Sequence, residues 1–128
     1  MRTDADLAKA ARELMRRTKA KHVLVTRGEH GMTLFGQAGR PLWVPAMARQ
    51  VYDVSGAGDT VMSTLTLALA AGAPIERAVT LANVAAGVVV EKLGTATATP
   101  EEILKFAVLA GVAQPMTATS ARRSRARA

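Results

Sequence analysis

The sequence predicts an α/β fold made of edge strands and a helical layer, incomplete as a domain by itself. Three observations predict it. Apolar residues first recur at helical spacing and then crowd into short β-branched runs. A loop of small residues at 56–58 follows, where a strand-like stretch gives way to a helical one. Three apolar helical stretches come after it with no further strands, so the alternating units of a complete parallel sheet are missing.

Each element has a local reason. Thr3 and Asp6 form a capping box, with Asp in place of the usual Glu, ahead of a helix that carries Leu7, Ala11, Leu14 and Met15 at helical spacing. Arg12, Arg16 and Arg17 lie on its other faces, and it should end near residues 19–21. His22–Thr26 reads as a short buried strand, residues 27–31 as a loop and residues 32–35 as a second strand. After a turn at residues 36–39, residues 41–44 form a third strand, at an edge because Pro41 cannot donate to a ladder. From Val51 the chain is strand-like into Asp53. Residues 61–71, rich in Leu, Ala and Met and without a polar face, predict a buried helix closed by Gly72. Pro74 opens a second apolar helix over residues 75–93, ending at Gly94. A polar loop spans 95–99, and Pro100, Glu101 and Glu102 start a third helix with acids placed to suit its dipole. Residues 117–128 contain only Thr, Ala, Ser and Arg and predict a disordered tail. The organisation expected is a folded part over residues 1–116 and that tail.

Composition narrows the class. A chain of 128 residues, 49% hydrophobic, can bury roughly two-thirds of its unfolded surface, packed by Ala, Val and Leu because aromatics make up 3%. No apolar run reaches the ~18 residues of a membrane span, and no secretory h-region is visible, so a cytoplasmic location is expected. Without cysteine there are no disulfides and no thiolate metal sites. The net charge of +7 suggests nucleic acid, but its distribution argues otherwise. Arg122, Arg123, Arg125 and Arg127 fall in the last seven positions, and the first 121 residues carry thirteen basic against ten acidic side chains, a net +3. Aromatics interleaved with basic residues, which base stacking needs, are absent.

The loop at Gly56, Ala57 and Gly58 carries the chemistry. Small residues let the backbone pass close to a ligand, and the first N–H groups of the following helix point at whatever precedes it. Phosphate is the natural guest there. Asp59 is the oddity, since a carboxylate beside an anion site repels the ligand. It is either an ordinary helix-start acid or a base that takes a proton from an attacking hydroxyl. No Lys follows the last glycine, so this is not a Walker A loop, and no clear βαβ unit with a ribose-binding acid makes it a dinucleotide fingerprint. His22 and His30 are too isolated for a metal pair, and Trp43 is expected to pack on an edge strand.

Asp53, Gly56, Ala57, Gly58, Asp59 and Thr60 match, position by position, a signature of the ribokinase-like (PfkB) carbohydrate kinases, and the chain resembles the C-terminal half of that family. The run VTRGEHG at residues 25–31 is similar to the family's upstream loop along the nucleotide phosphates, and LANVAA at residues 81–86 to the helix that meets adenine. With Val61 where most members have Phe, and with stretches 23–34 and 86–95, the resemblance is strongest to the heptose 7-phosphate kinase branch. It implies a ribokinase-like fold and phosphoryl transfer from ATP, with Mg2+, to the anomeric hydroxyl of D-glycero-D-manno-heptose 7-phosphate, in ADP-heptose and lipopolysaccharide core synthesis. It implies Asp59 as catalytic base, Gly56, Ala57 and Gly58 as an anion hole, and Thr26, Gly28, Gly31 and Asn83 as nucleotide-binding residues. Asp53 and Ser55, with Gly94 nearby, offer backbone carbonyls to a monovalent cation as in some relatives, or simply cap a turn; no metal site is assigned. The family's sugar-binding strands, lid, first glycine signature and Asn-x-x-Glu motif do not occur in these residues. The expected partners are therefore ATP, a phosphorylated sugar, and an N-terminal half or a second copy, with no membrane. Alone, the chain is expected to be inactive. The other readings are a different ribokinase-like sugar kinase, or a non-catalytic nucleotide-binding or partner-binding remnant.

Overall fold

The computed structural model describes residues 3–48, 51, 53–94, 96–109 and 111. Helix α1 (Asp4–Thr18) begins where the sequence places it. The Thr3 hydroxyl accepts the Asp6 N–H at 3.2 Å and the Asp6 carboxylate accepts the Thr3 N–H at 3.0 Å, closing the capping box. Lys19, left-handed at φ 55, ends it. Ala11 and Met15 are buried against Phe35, with Leu7, Ala8, Val23 and Val25 around them. Leu14, at the margin of that stripe, stays half exposed.

Strands β1 (His22–Thr26), β2 (Met32–Gly36) and β3 (Leu42–Val44) form one antiparallel sheet in that order. His22 faces Gly36, Val25 faces Thr33, and Met32 faces Val44. The central strand β2 is buried from Met32 to Phe35. The expected burial of β1 is only partial, because among the described residues it has a partner strand on one side alone. Helix α1 covers one face of the sheet. The other, through Leu24 and Met32, meets Val61 and Ala82.

Those last two residues belong to helices α2 (Ala57–Ala70) and α3 (Ile75–Val90), which pack along one another. Helix α3 is the core of this layer: Ala78, Val79, Ala82, Val84, Ala85 and Val89 are fully buried. The expectation of a buried helix at 61–71 is overturned. Only Val61 and Ala68 of α2 are buried, and Met62 and Leu67 are 65% and 71% exposed. An apolar stripe all round tells that a helix wants cover, not that its neighbours supply it. Two boundaries also move. Val51 and Asp53 join no strand; the Asp53 N–H reaches the Val90 carbonyl at 3.4 Å instead. Helix α3 stops at Val90, three residues short of the predicted end, and Gly94 takes a positive φ of 73° in the loop beyond. Helix α4 (Pro100–Leu109) leans on α3. The tail at 117–128 lies outside the described residues, and no described helix is long and apolar enough to cross a membrane.

The α3–α4 loop is stapled by charge. Lys92 Nζ donates to the Thr97 carbonyl at 2.7 Å and to the Glu102 carboxylate at 2.8 Å, and the Thr99 N–H donates to that carboxylate at 2.8 Å. The ammonium of Lys92, and then the Thr99 amide, hold the Glu102 carboxyl below its ordinary range. A carboxyl with a depressed folded pKa stabilises fully above its unfolded pKa of about 4 and loses that contribution as pH falls through the folded value. Melting temperature should therefore fall below about pH 5, and Glu102→Gln should flatten part of that fall by lowering the melting temperature near pH 7 while changing little near about pH 3.5. Parallel melts of both proteins at pH 3.5 to 7 check it; superimposable slopes would reject the staple.

Candidate functional site

Two loops meet beside α3. The first joins β1 to β2. Gly28, at φ 57°, opens a single 3-10 turn over Gly28–His30, and Gly31 closes it. The Arg27 N–H donates to the Gly31 carbonyl at 2.7 Å and the Gly31 N–H to the Gly28 carbonyl at 3.0 Å. Gly31 has φ 78° and ψ −132°, a conformation that suits glycine alone.

The second loop leads into α2. The Asp53 carboxylate accepts the Ser55 N–H at 2.8 Å. This bond, followed by the Ser55 side chain and the Gly94 amide, keeps the Asp53 carboxyl below its ordinary range. The Asp53 side chain therefore caps a turn. Gly56, left-handed at φ 79°, is the N-cap of α2, and both the N–H and the hydroxyl of Thr60 donate to its carbonyl at 2.9 Å. The Ala57 N–H is taken by the Val54 carbonyl at 3.2 Å. Among the described residues none accepts from the amides of Gly58 and Asp59. Two free N–H groups thus stand at the positive end of a fourteen-residue helix, where an anion is favoured.

Between the loops lies an open cavity of about 670 Å³. Thr26, Gly28, Gly31, Ala57, Gly58 and Asn83 all line it. Gly56 and Asp59 do not: Gly56 shapes the helix start from behind, and Asp59 is exposed one residue beyond Gly58. Asn83 is 3% exposed, and its amide nitrogen donates to the Pro45 carbonyl at 2.7 Å. The sequence reading missed the apolar walls, which come from Met47, Val51 and Val54 on one side and Ala86, Gly87 and Val90 on the other. Ala86, Gly87 and Val90 follow Asn83 at helical spacing, the one signal that points to them. Trp43 meets its expectation in part. It sits on the edge strand as expected but packs only partly, 59% exposed, with its indole N–H donating to the His30 carbonyl at 2.9 Å. His22 and His30 are exposed, and no cluster of three metal-ligating side chains occurs among the described residues.

A sheet whose loop lies along a cavity, facing a glycine-lined helix N-terminus with an acid in its first turn, defines an α/β protein with a place for an anion at a helix start. The model of the pfkB family carbohydrate kinases matches residues 2–102, and the chain belongs to that family. Among curated relatives it is 54% identical over 100 residues to the bifunctional protein HldE of Methylococcus capsulatus, and 55% identical over 100 residues to that of Stutzerimonas stutzeri. In both cases the match covers 78% of this chain and 21% of the relative, so the chain spans about a fifth of their length. Among solved structures, Arabidopsis thaliana ribokinase complexed with ribose and ATP superposes with a TM-score of 0.74 at 29% identity, covering 81% of this chain and 34% of that one. Escherichia coli phosphofructokinase-2 in complex with potassium gives 0.75 at 25% identity, covering 86% and 35%. The fold is that of ribokinase-like kinases, present here in part.

Proposed function

We propose that this chain is the nucleotide-binding and base-bearing segment of a cytoplasmic, ATP-dependent sugar kinase whose acceptor is the anomeric hydroxyl of a heptose 7-phosphate. The observation that carries it is the pair of free amides at Gly58 and Asp59, at a helix start whose Ala57 and Gly58 line one cavity with Thr26, Gly28 and Gly31. The triphosphate would lie along the Thr26–Gly31 loop, and its transferring phosphoryl would sit before α2, where positioning and charge stabilisation do most of the catalytic work. Each backbone donor there is worth ~10²–10³ in rate, by analogy with oxyanion holes. Asp59 would orient the sugar hydroxyl and take its proton late, when the forming bond has made it acidic. Magnesium would arrive on the nucleotide's phosphates, which need only one or two protein carboxylates. Support for the heptose acceptor comes from the relatives and from Val61 in the signature. The exposed apolar face of α2 is where an N-terminal half or a second copy would seat.

Gly28 tests the nucleotide reading. A side chain here meets no atom within 4 Å, so it would project into open space beside the proposed phosphates. Gly28→Val, in a full kinase carrying this segment, should cost ~1–2 kcal/mol of stability for its left-handed φ. Its affinity for ATP should weaken by about tenfold or more. Unchanged ATP affinity by calorimetry would remove this loop from the site.

A further inference from the structure

Pro45, Ala46, Met47 and Ala48 cross the space between β3 and α3 without regular structure, and the last three line the cavity. Three close approaches pin this strap. On one side Gly31 lies against it so tightly that an added Cβ would overlap the Val44 carbonyl oxygen and stand 2.5 Å from the Ala46 nitrogen. On the other, Asn83 donates to the Pro45 carbonyl. One helical turn on, a Cβ at Gly87 would lie 3.1 Å from the Phe106 ring and 3.6 Å from the Ala48 nitrogen. Positions 83 and 87 share a face of α3. Gly31 thus lets the strap in, the strap touches α3 again at Gly87, and the only buried hydrogen-bonding side chain on that face of α3 holds it.

We infer that Asn83 is a positioning residue, which acts on the bound nucleotide through the strap 45–48 and not by reading the base with its own amide. A carbonyl only accepts, so one N–H of the amide is committed to Pro45, and in a side chain only 3% exposed the second N–H and the amide oxygen offer a base little surface. Nothing about base identity then passes through that donor. The strap sets the width of the apolar slot between Met47 and the Ala86 and Gly87 turn, and any purine of the same thickness feels the loss of the bond alike. This rests on the nucleotide reading of the cavity.

The experiment uses the fact that Asn83 is the only asparagine in the chain, so 15N-asparagine labelling yields one side-chain NH2 pair. In the 128-residue chain, one proton of the pair should exchange at least about tenfold more slowly than in free asparagine, because it is buried and bonded. It should stay protected when ATP is added to saturation. Inosine triphosphate carries a carbonyl where ATP has its amino group, so a direct amide contact would separate the two. Asn83→Ala should weaken ATP and inosine triphosphate together, each by about tenfold, as expected for a lost hydrogen bond and a loosened wall. Release of the protected proton by ATP overturns the inference, and so does a change beyond about threefold in the ATP to inosine triphosphate ratio. A wild-type chain that binds neither nucleotide defeats the nucleotide reading itself, and the inference with it. Binding with an altered ratio defeats the inference alone.

Discussion

Asp59→Asn, in a kinase that carries this segment in a whole domain, should lower kcat by ~10²–10⁴, the usual contribution of general acid–base catalysis. The substitution keeps size and hydrogen bonding and removes the basic site. Asp59 is exposed in the first turn of α2, beside the free amides and outside the cavity wall. The KM for ATP should therefore change little, since the lost interaction belongs to the transition state. Were Asp59 only a helix-start acid, the outcome would be the opposite: stability down by less than ~1 kcal/mol, from the lost charge near the dipole, and turnover close to normal. Steady-state kinetics on both proteins decide it, and a kcat within about threefold of wild type would defeat the assignment.

Gly31→Ala should damage the fold more than any other single methyl added to the two loops. At φ 78° and ψ −132° an L side chain is strained by ~1–3 kcal/mol whatever surrounds it. The new carbon would also overlap the Val44 carbonyl and stand 2.7 Å from the Pro45 carbonyl carbon, and these atoms are backbone. A loss of ~3 kcal/mol or more is expected, a large share of a small domain's ~5–15 kcal/mol, with melting lowered by roughly 10 °C or more. Gly28→Ala is the control. Its φ of 57° is left-handed too, but it meets nothing within 4 Å, so only the conformational cost of about 1 kcal/mol applies. Melting curves that coincide for the two variants would refute the close approach at Gly31.

The α1 cap, the loop glycines and the acid-rich start of α4 were legible because each depends on partners within a few residues, and β1 because its β-branched run pairs with the next strand across a short loop. Thr3 needs only Asp6, and Gly28, Gly31 and Gly56 need only their own backbone angles. The same holds for the free amides before Asp59, which any helix start leaves behind. The family signature added what spacing could not: that this loop is one a kinase uses.

Tertiary structure alone decided the rest. Residue 51 looked like a strand by composition, but a strand needs a partner, and Asp53 finds the end of α3 instead. The apolar face of α2 looked buried by its pattern, yet the described neighbours bury only Val61 and Ala68 and leave Leu65 partly covered. The resemblance placed Asn83 against a base; it lines the cavity, and its amide nitrogen also donates to Pro45, thirty-eight positions away in sequence. Hydrogen bonds and burial across such separations depend on which surfaces meet after folding, and no local pattern of residues encodes that meeting. Sequence determined the conformations this chain can adopt at its loops; packing determined which atoms those loops were left free to offer.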